Sequence, residues 1–338
     1  MEVIKNLLSS QSFLGAIFST IFIIGLGYYL RKKNKVSDQT AKGLTAVLMT
    51  VSLPALAFKS FMTDNKGQGL DAVKVLVFGF VAYLILIGLS FLFKFKYKGD
   101  KLKVVRNLTI FGSTTFFGIP IISGFSSQFP NGVLYANLFN IAYRVFLYSY
   151  CYIALSGMKF EKKNLKQILL NPIIIATFVG LLIWVTQGIS PKTTIGENTY
   201  SIFRLDKTAP WFMQGVGYLA ALASPLAWLA IGMTLAKISL KDASRDKDVW
   251  IYVAIKQVIV PAIFLGIVLA LRAVNLLPTD ASVAFSIIIM LATPPATVAV
   301  GYAISFDKEP VFASNASLVS TVVSVFALIV WIFILNLV

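Results

Sequence analysis

The chain has 338 residues, of which 57% are hydrophobic and only 13% charged; so little polar surface excludes a water-soluble globule and identifies an integral membrane protein. Thirty Lys and Arg against 14 Asp and Glu give a formal charge of +16, which here reads as basic loops at a membrane face and not as a nucleic-acid surface. A single cysteine, Cys151, and no histidine exclude an intramolecular disulfide, histidine-based catalysis and the usual zinc site.

A membrane crossing takes about 20 mainly apolar residues. Ten such stretches are predicted, at 12–30, 40–61, 72–94, 104–126, 132–156, 167–187, 211–236, 249–272, 280–305 and 310–337. The first carries its basic cluster, Arg31, Lys32, Lys33 and Lys35, after the apolar run, the reverse of a cleaved leader, and this predicts an outside N-terminus. Twenty of the 30 basic residues lie in or beside the loops that follow spans 1, 3, 5, 7 and 9. The expectation is therefore a multi-pass protein of the plasma membrane with both termini outside. All 14 carboxylates, Asp71 and Asp280 included, fall in loops or at span ends.

Four prolines organise the chain. Pro54 in span 2 and Pro120 in span 4 are 66 residues apart; Pro225 in span 7 and Pro294 in span 9 are 69 apart. Local texture repeats as well, Ser52-Leu53-Pro54-Ala55-Leu56-Ala57 against Ser224-Pro225-Leu226-Ala227-Trp228-Leu229-Ala230. The predicted fold is all-α, two five-helix units over 1–160 and 161–338. An odd number of crossings per unit requires the second to be inverted.

Span 4 holds Gly112-Ser113-Thr114-Thr115-Phe116-Phe117-Gly118-Ile119-Pro120, and span 9 holds Ala292-Thr293-Pro294-Pro295-Ala296-Thr297. Each proline lacks an amide donor and pushes its predecessor toward extended backbone, so span 9 is expected to break at Thr293 and Pro294. Glycine freedom and threonine hydroxyls support a softer break in span 4. Half-helices are expected to restart at Pro120 and Pro295, with their amide-bearing, dipole-positive ends facing a shared cavity that favours an anion.

Span 5 carries Asn137, Asn140, Arg144 and Tyr148 at helical spacing. A charge halfway along a span is costly unless it finds water or a partner, so Arg144 is expected to face inward, on the substrate or on orphan carbonyls of the broken helices. Lys256 and Gln257 in span 8 form an inward polar patch if Lys256 does not snorkel to the interface. Ser314, Ser317, Thr321 and Ser324 stripe span 10, a pattern that reads as helix packing.

These residues resemble the auxin efflux carrier family, the bacterial malate or malonate permease group. The likeness runs over nearly the whole chain: Gly25-Leu26-Gly27-Tyr28-Tyr29-Leu30-Arg31 with Ser37-Asp38, Gly43-Leu44, Leu53-Pro54-Ala55-Leu56, Asn171-Pro172-Ile173-Ile174, Pro225-Leu226-Ala227 with Gly232-Met233, Lys256 before Pro261, and Pro294-Pro295-Ala296 continuing to Tyr302 and Asp307. The family usually has asparagine and glycine at the positions of Ser113 and Thr115. The resemblance implies the fold of sodium/proton antiporters and bile-acid symporters, with broken helices 4 and 9 crossed. It also implies a scaffold of spans 1, 2, 6 and 7, a transport domain of spans 3–5 and 8–10, elevator-like alternating access, homodimerisation and carboxylate substrates.

The expected function is a secondary transporter or uniporter for a small organic anion such as malate, malonate or lactate. Its expected substrate-binding residues are Ser113, Thr114, Thr115, Gly118, Pro120, Asn137, Asn140, Arg144, Thr293, Pro294, Pro295 and Thr297, with Pro54, Pro225, Lys256 and Gln257 in support. No nucleotide-binding loop, cofactor fingerprint or metal cluster is visible, so an enzyme is not expected. Coupling to a proton or to sodium stays open. A carrier of neutral or cationic solutes, such as an amino acid, and a membrane sensor without transport are the alternatives.

Overall fold

The computed structural model describes residues 11–64, 70–125, 127–158, 170–236 and 245–337. The expected boundary between the units at 160/161 and the start of span 6 lie outside the described residues. Among the described residues six helices are long and apolar enough to cross a membrane: Gly43–Ser60, Leu70–Phe95, Gly132–Ser156, Pro210–Leu235, Lys247–Ala273 and Pro310–Leu335. Gln11–Lys32 fills span 1, Pro172–Thr186 fills the described part of span 6, and spans 4 and 9 are each divided in two.

Polar caps set where these helices begin. Ser37 and Thr40 exchange side-chain and amide bonds at 3.2 Å in a reciprocal box that opens span 2. Asn171 accepts from the Ile173 amide at 2.9 Å ahead of Pro172, and Asp246 accepts from the Asp248 amide at 2.9 Å to open span 8. Between these ends the helices are apolar on both faces. In Leu70–Ser90, Val73, Val77, Val81 and Leu84 are exposed along one side, while Val75, Phe78, Ala82 and Leu86 are buried on the other. That double-sided apolarity is what lipid requires.

Span 1 packs on the second part of span 7, and span 2 packs on span 6 and on the first part of span 7. Span 3 packs on span 5 and span 8 on span 10. Glycine allows the first contact: a methyl on Gly232 would lie 2.7 Å from the Tyr28 amide nitrogen and overlap the Ile24 carbonyl oxygen. Gly232→Ala is therefore expected to cost about 1–3 kcal/mol by overpacking. Gly25→Ala, with nothing within 4 Å of the added carbon, should leave the thermal melt of the detergent-solubilised protein unchanged.

Three prolines are absorbed without a break. Wide turns at Leu48–Ser52, Thr114–Gly118 and Ile255–Ile259 each end two residues before Pro54, Pro120 or Pro261. Their closing bonds reach five residues back, from the amides of Leu53, Ile119 and Val260 to the carbonyls of Leu48, Thr114 and Ile255. Widening the helix one turn ahead relieves the clash between the proline ring and the carbonyl it would otherwise strike.

The expectation that half-helices restart at Pro120 and Pro295 is corrected here. Span 4 breaks earlier, at Phe111–Ser113, and is helical again from Thr114, with Pro120 inside the resumed helix. Span 9 stops at Leu291 and resumes only at Thr297, because the amide of Ala296 is spent on Phe111 across the break. The all-α expectation also needs one amendment: Lys192–Ile195 and Asn198–Ser201 pair as an antiparallel hairpin between spans 6 and 7, turned at Gly196 with a φ of +62°.

Candidate functional site

The two breaks meet. Extended residues Gly112 and Pro295 form an antiparallel bridge, in which the Ser113 amide donates to the Pro294 carbonyl at 2.7 Å and the Ala296 amide to the Phe111 carbonyl at 2.8 Å. Each broken segment thus satisfies the other's freed peptide groups, which would be costly in hydrocarbon. Twelve helical residues precede the break in span 4 and 11 precede that in span 9, so the bridge lies near the middle of both. Pro294 and Pro295 leave no orphan donor because they have none. Close approach demands glycine: a methyl on Gly112 would collide with the Thr293 hydroxyl, and one on Gly118 would come within 2.6 Å of the Met290 sulfur.

The carbonyl-bearing ends of the first half-helices are covered from neighbouring residues. Tyr252 and Lys256, four apart on span 8, donate to the carbonyls of Leu108 at 3.1 Å and Thr109 at 3.0 Å. Thr293 turns its hydroxyl back to the Met290 carbonyl at 2.8 Å. These are the terminal acceptors that a helix cannot satisfy internally.

Beside the bridge, Ser113, Thr115, Arg144 and Thr297 line a cavity of about 30 Å³ together with Ser60 and Tyr148. That is room for a water or two. It adjoins a vestibule of about 480 Å³ that shares Ser60, Thr115 and Arg144 with it and extends to Thr63, Asp206 and Pro210. The resumed helices of both broken spans start here, at Thr114 and Thr297, and their first amides have no acceptor within the helix. A separate cavity of about 530 Å³, lined by Thr45, Thr50, Tyr152, Asn171 and Asp307 among others, holds none of the residues expected to bind substrate.

Arg144 is only 6% exposed and belongs to none of the ion pairs among the described residues. One terminal nitrogen donates to the carbonyl of Ser60 at the end of span 2, and its Nε has no partner. The Ser113 hydroxyl, likewise buried, has no partner either. A buried cation and a buried hydroxyl with unspent hydrogen-bonding capacity are what an anion-binding cavity offers.

The other predicted residues divide. Asn140 is fully buried and clamps the restart of span 4, its Oδ1 accepting from Thr114 at 2.7 Å and its Nδ2 donating to Thr115 at 3.1 Å. Asn137 donates to the carbonyl of Val133 on its own helix at 2.9 Å and is not brought to the cavity. Gly118 serves packing against Met290, and Pro294 and Pro295 serve the bridge. Thr293 caps its own helix and does not line the cavity, and Pro120 lies inside the resumed helix of span 4. Gln257 faces span 10, its side chain donating to the Ser320 carbonyl at 2.7 Å while the Trp331 ring nitrogen donates to the main-chain carbonyl of Gln257 at 2.7 Å. Pro54 and Pro225 belong to spans 2 and 7 and do not line the cavity. Thr321 and Ser324 bond carbonyls of their own helix, in keeping with packing. Sequence reasoning missed Ser60, whose contribution is a main-chain carbonyl, and Tyr252, which its four-residue offset from Lys256 would have revealed.

Comparison with known proteins places the chain among membrane transporters. Residues 12–332 match the family model described as membrane transport protein. An uncharacterized transporter, MJ1031 of Methanocaldococcus jannaschii, is 22% identical over 230 residues, covering 67% of this chain and 70% of the relative.

Proposed function

Because the chain belongs to the membrane transport protein family, the auxin efflux carriers, which are transporters and not enzymes, we propose that it carries a small organic anion, a mono- or dicarboxylate, across the plasma membrane. The observation that carries this reading is the unpaired Arg144 Nε and the unpaired Ser113 hydroxyl around a cavity onto which two resumed helices open. A carboxylate there would accept from the guanidinium, from the hydroxyls of Ser113, Thr115 and Thr297, and from the first amides of those helices, whose dipoles favour negative charge. Asn140 holds Thr114 and Thr115 in register for this contact.

The architecture of this proposal is ten spans in two inverted five-helix units, 1–160 and 161–338, with both termini outside. Support comes from the packing: span 1 on 7 becomes span 6 on 2 when the units are exchanged, and span 3 on 5 becomes span 8 on 10. Spans 1, 2, 6 and 7 form a scaffold through which two copies associate. Spans 3–5 and 8–10 move together as an elevator, driven by a co-transported ion or by the gradient of the anion itself. The bond from Arg144 of span 5 to Ser60 of span 2 joins the two groups and must open as the carrier moves.

The test is uptake into proteoliposomes against malate, malonate, lactate, neutral amino acids and organic cations. Saturable uptake of a carboxylate that other carboxylates inhibit supports the proposal. Uptake confined to neutral or cationic solutes overturns it.

A further inference from the structure

Span 3 ends in an exposed mixture of aromatic and basic side chains. Past Ser90 the chain winds more tightly over Phe91–Phe95, where Phe91, Leu92 and Phe95 are 52%, 61% and 80% exposed. Lys94, Lys96 and Lys98 alternate with Phe93, Phe95 and Tyr97. Residues three apart eclipse in so tight a helix, which puts Lys94 on the same edge as Phe91. Lys94 also lies 5.4 Å from the centre of the Phe95 ring. Arg106 of span 4 joins this edge. Its guanidinium is 3.8 Å from the centre of the Phe91 ring, its Nε donates to the Ser90 hydroxyl at 3.0 Å, and a terminal nitrogen donates to the Tyr150 hydroxyl at 3.2 Å.

The carboxylates nearby are spent on other cations. Asp248 pairs with Lys96 and Lys101, and Asp100 pairs with Lys103 and Lys308. Lys94, Lys98 and Arg106 belong to none of the ion pairs among the described residues. Arg106 lies two turns into Gly99–Ile110, level with the end of Leu70–Ser90, and is half-buried. Two hydroxyls and an aromatic face hold its guanidinium without neutralising it. At the end of an apolar span, aromatic rings and long basic side chains meet lipid headgroups. Exposed apolar surface beside unmatched positive charge fits a molecule that is apolar over most of its length and negative at one end.

We propose that this corner binds an anionic phospholipid, its phosphate accepting from Arg106, Lys94 and Lys98 and its acyl chains lying along Phe91, Leu92 and Phe95. Three cations without partners favour a lipid of net negative charge over a zwitterionic one, which carries its own cation. A soluble phosphate lacks the chains that would cover the exposed aromatics. Through Ser90 and Tyr150, Arg106 ties the ends of spans 3 and 5 to span 4, so the bound lipid steadies the three against one another. The inference does not depend on the identity of the cargo.

The experiment illuminates the purified full-length protein, in detergent micelles, with a phosphatidylglycerol that carries a photoactivatable acyl chain, and maps the labelled peptides. Label is expected within residues 91–106, displaced by unlabelled phosphatidylglycerol but not by phosphatidylcholine or glycerol phosphate. Lys94→Gln together with Lys98→Gln should lower it about tenfold or more, from the contribution of each lysine near an anionic lipid. Lys33→Gln with Lys35→Gln, which removes two equally exposed charges from the loop after span 1, should leave it unchanged. A melt of each variant supplies the second readout. Replacing phosphatidylcholine by phosphatidylglycerol should raise the melting temperature of the parent by about 3 °C or more, and that of the Lys94 and Lys98 variant by about 1 °C or less. In phosphatidylcholine that variant should melt with the parent, since both lysines are exposed. The proposal is overturned if the label falls elsewhere, if phosphatidylcholine or glycerol phosphate displaces it as well as phosphatidylglycerol does, or if the Lys33 and Lys35 variant loses as much label as the Lys94 and Lys98 variant. Equal labelling of the parent and the Lys94 and Lys98 variant overturns it too.

Discussion

Arg144→Gln is expected to lower carboxylate uptake by roughly 10- to 150-fold, because a hydrogen bond to a charged group contributes about 1.5–3 kcal/mol and 1.4 kcal/mol is tenfold. Glutamine keeps an amide that can donate to the Ser60 carbonyl, so the contact between spans 5 and 2 has a replacement. The charge facing the cavity has none. Arg144→Lys should retain part of the uptake, since lysine supplies a point charge without the planar fork. Initial-rate uptake in proteoliposomes checks both variants, and a melt of each separates lost binding from lost folding. Wild-type uptake by the glutamine variant would assign Arg144 to the backbone of span 2 alone.

Gly112→Val is expected to abolish transport and to lower stability. Its side chain would enter the space held by the Thr293 hydroxyl, the Met290 carbonyl and Lys256 Nζ. Pushing spans 4 and 9 apart also breaks the bonds from Ser113 to Pro294 and from Ala296 to Phe111. Overpacking alone costs about 1–3 kcal/mol, and each unpaired peptide group in an apolar setting costs roughly 1–3 kcal/mol more. Gly88→Val, with nothing within 4 Å of the added Cβ, is the control. Equal melting and equal uptake of the two variants would refute a packed crossing.

The break in span 9 was legible because two consecutive prolines forbid helix at Thr293 and Pro294 whatever surrounds them. Its partner in span 4 was legible only as a softer break within residues 112–120, and not by its place, since Phe111–Ser113 contains no proline and becomes extended only by pairing with residues 294–296. Pro120 misled for the same reason: a proline signals a lost amide but not whether a widened turn ahead has already accommodated it, as Thr114–Gly118 does. Helical spacing put Asn140 and Arg144 on one face, and both meet buried partners there. Asn137 shares that spacing yet turns back onto Val133, a choice of rotamer that spacing does not encode. Lys256 could be read as reaching for the interface while the Thr109 carbonyl it satisfies was invisible, since that carbonyl is freed only where another span is broken. The hairpin over 192–201 was overlooked although Thr193, Thr194 and Ile195 are β-branched and Gly196 supplies the turn.

The bridge between Gly112 and Pro295 also imposes an order on biogenesis. Its halves are separated by 183 positions of chain, so at about 5–20 residues per second a ribosome needs roughly 10–40 s to deliver the second after the first. Throughout that interval the peptide groups of Phe111 and Ser113 wait in the membrane without their final acceptors or donors. Nascent chains arrested before residue 280 should consequently remain with the insertion machinery and be cut readily by protease. Those that extend past residue 310 should be released and resist it.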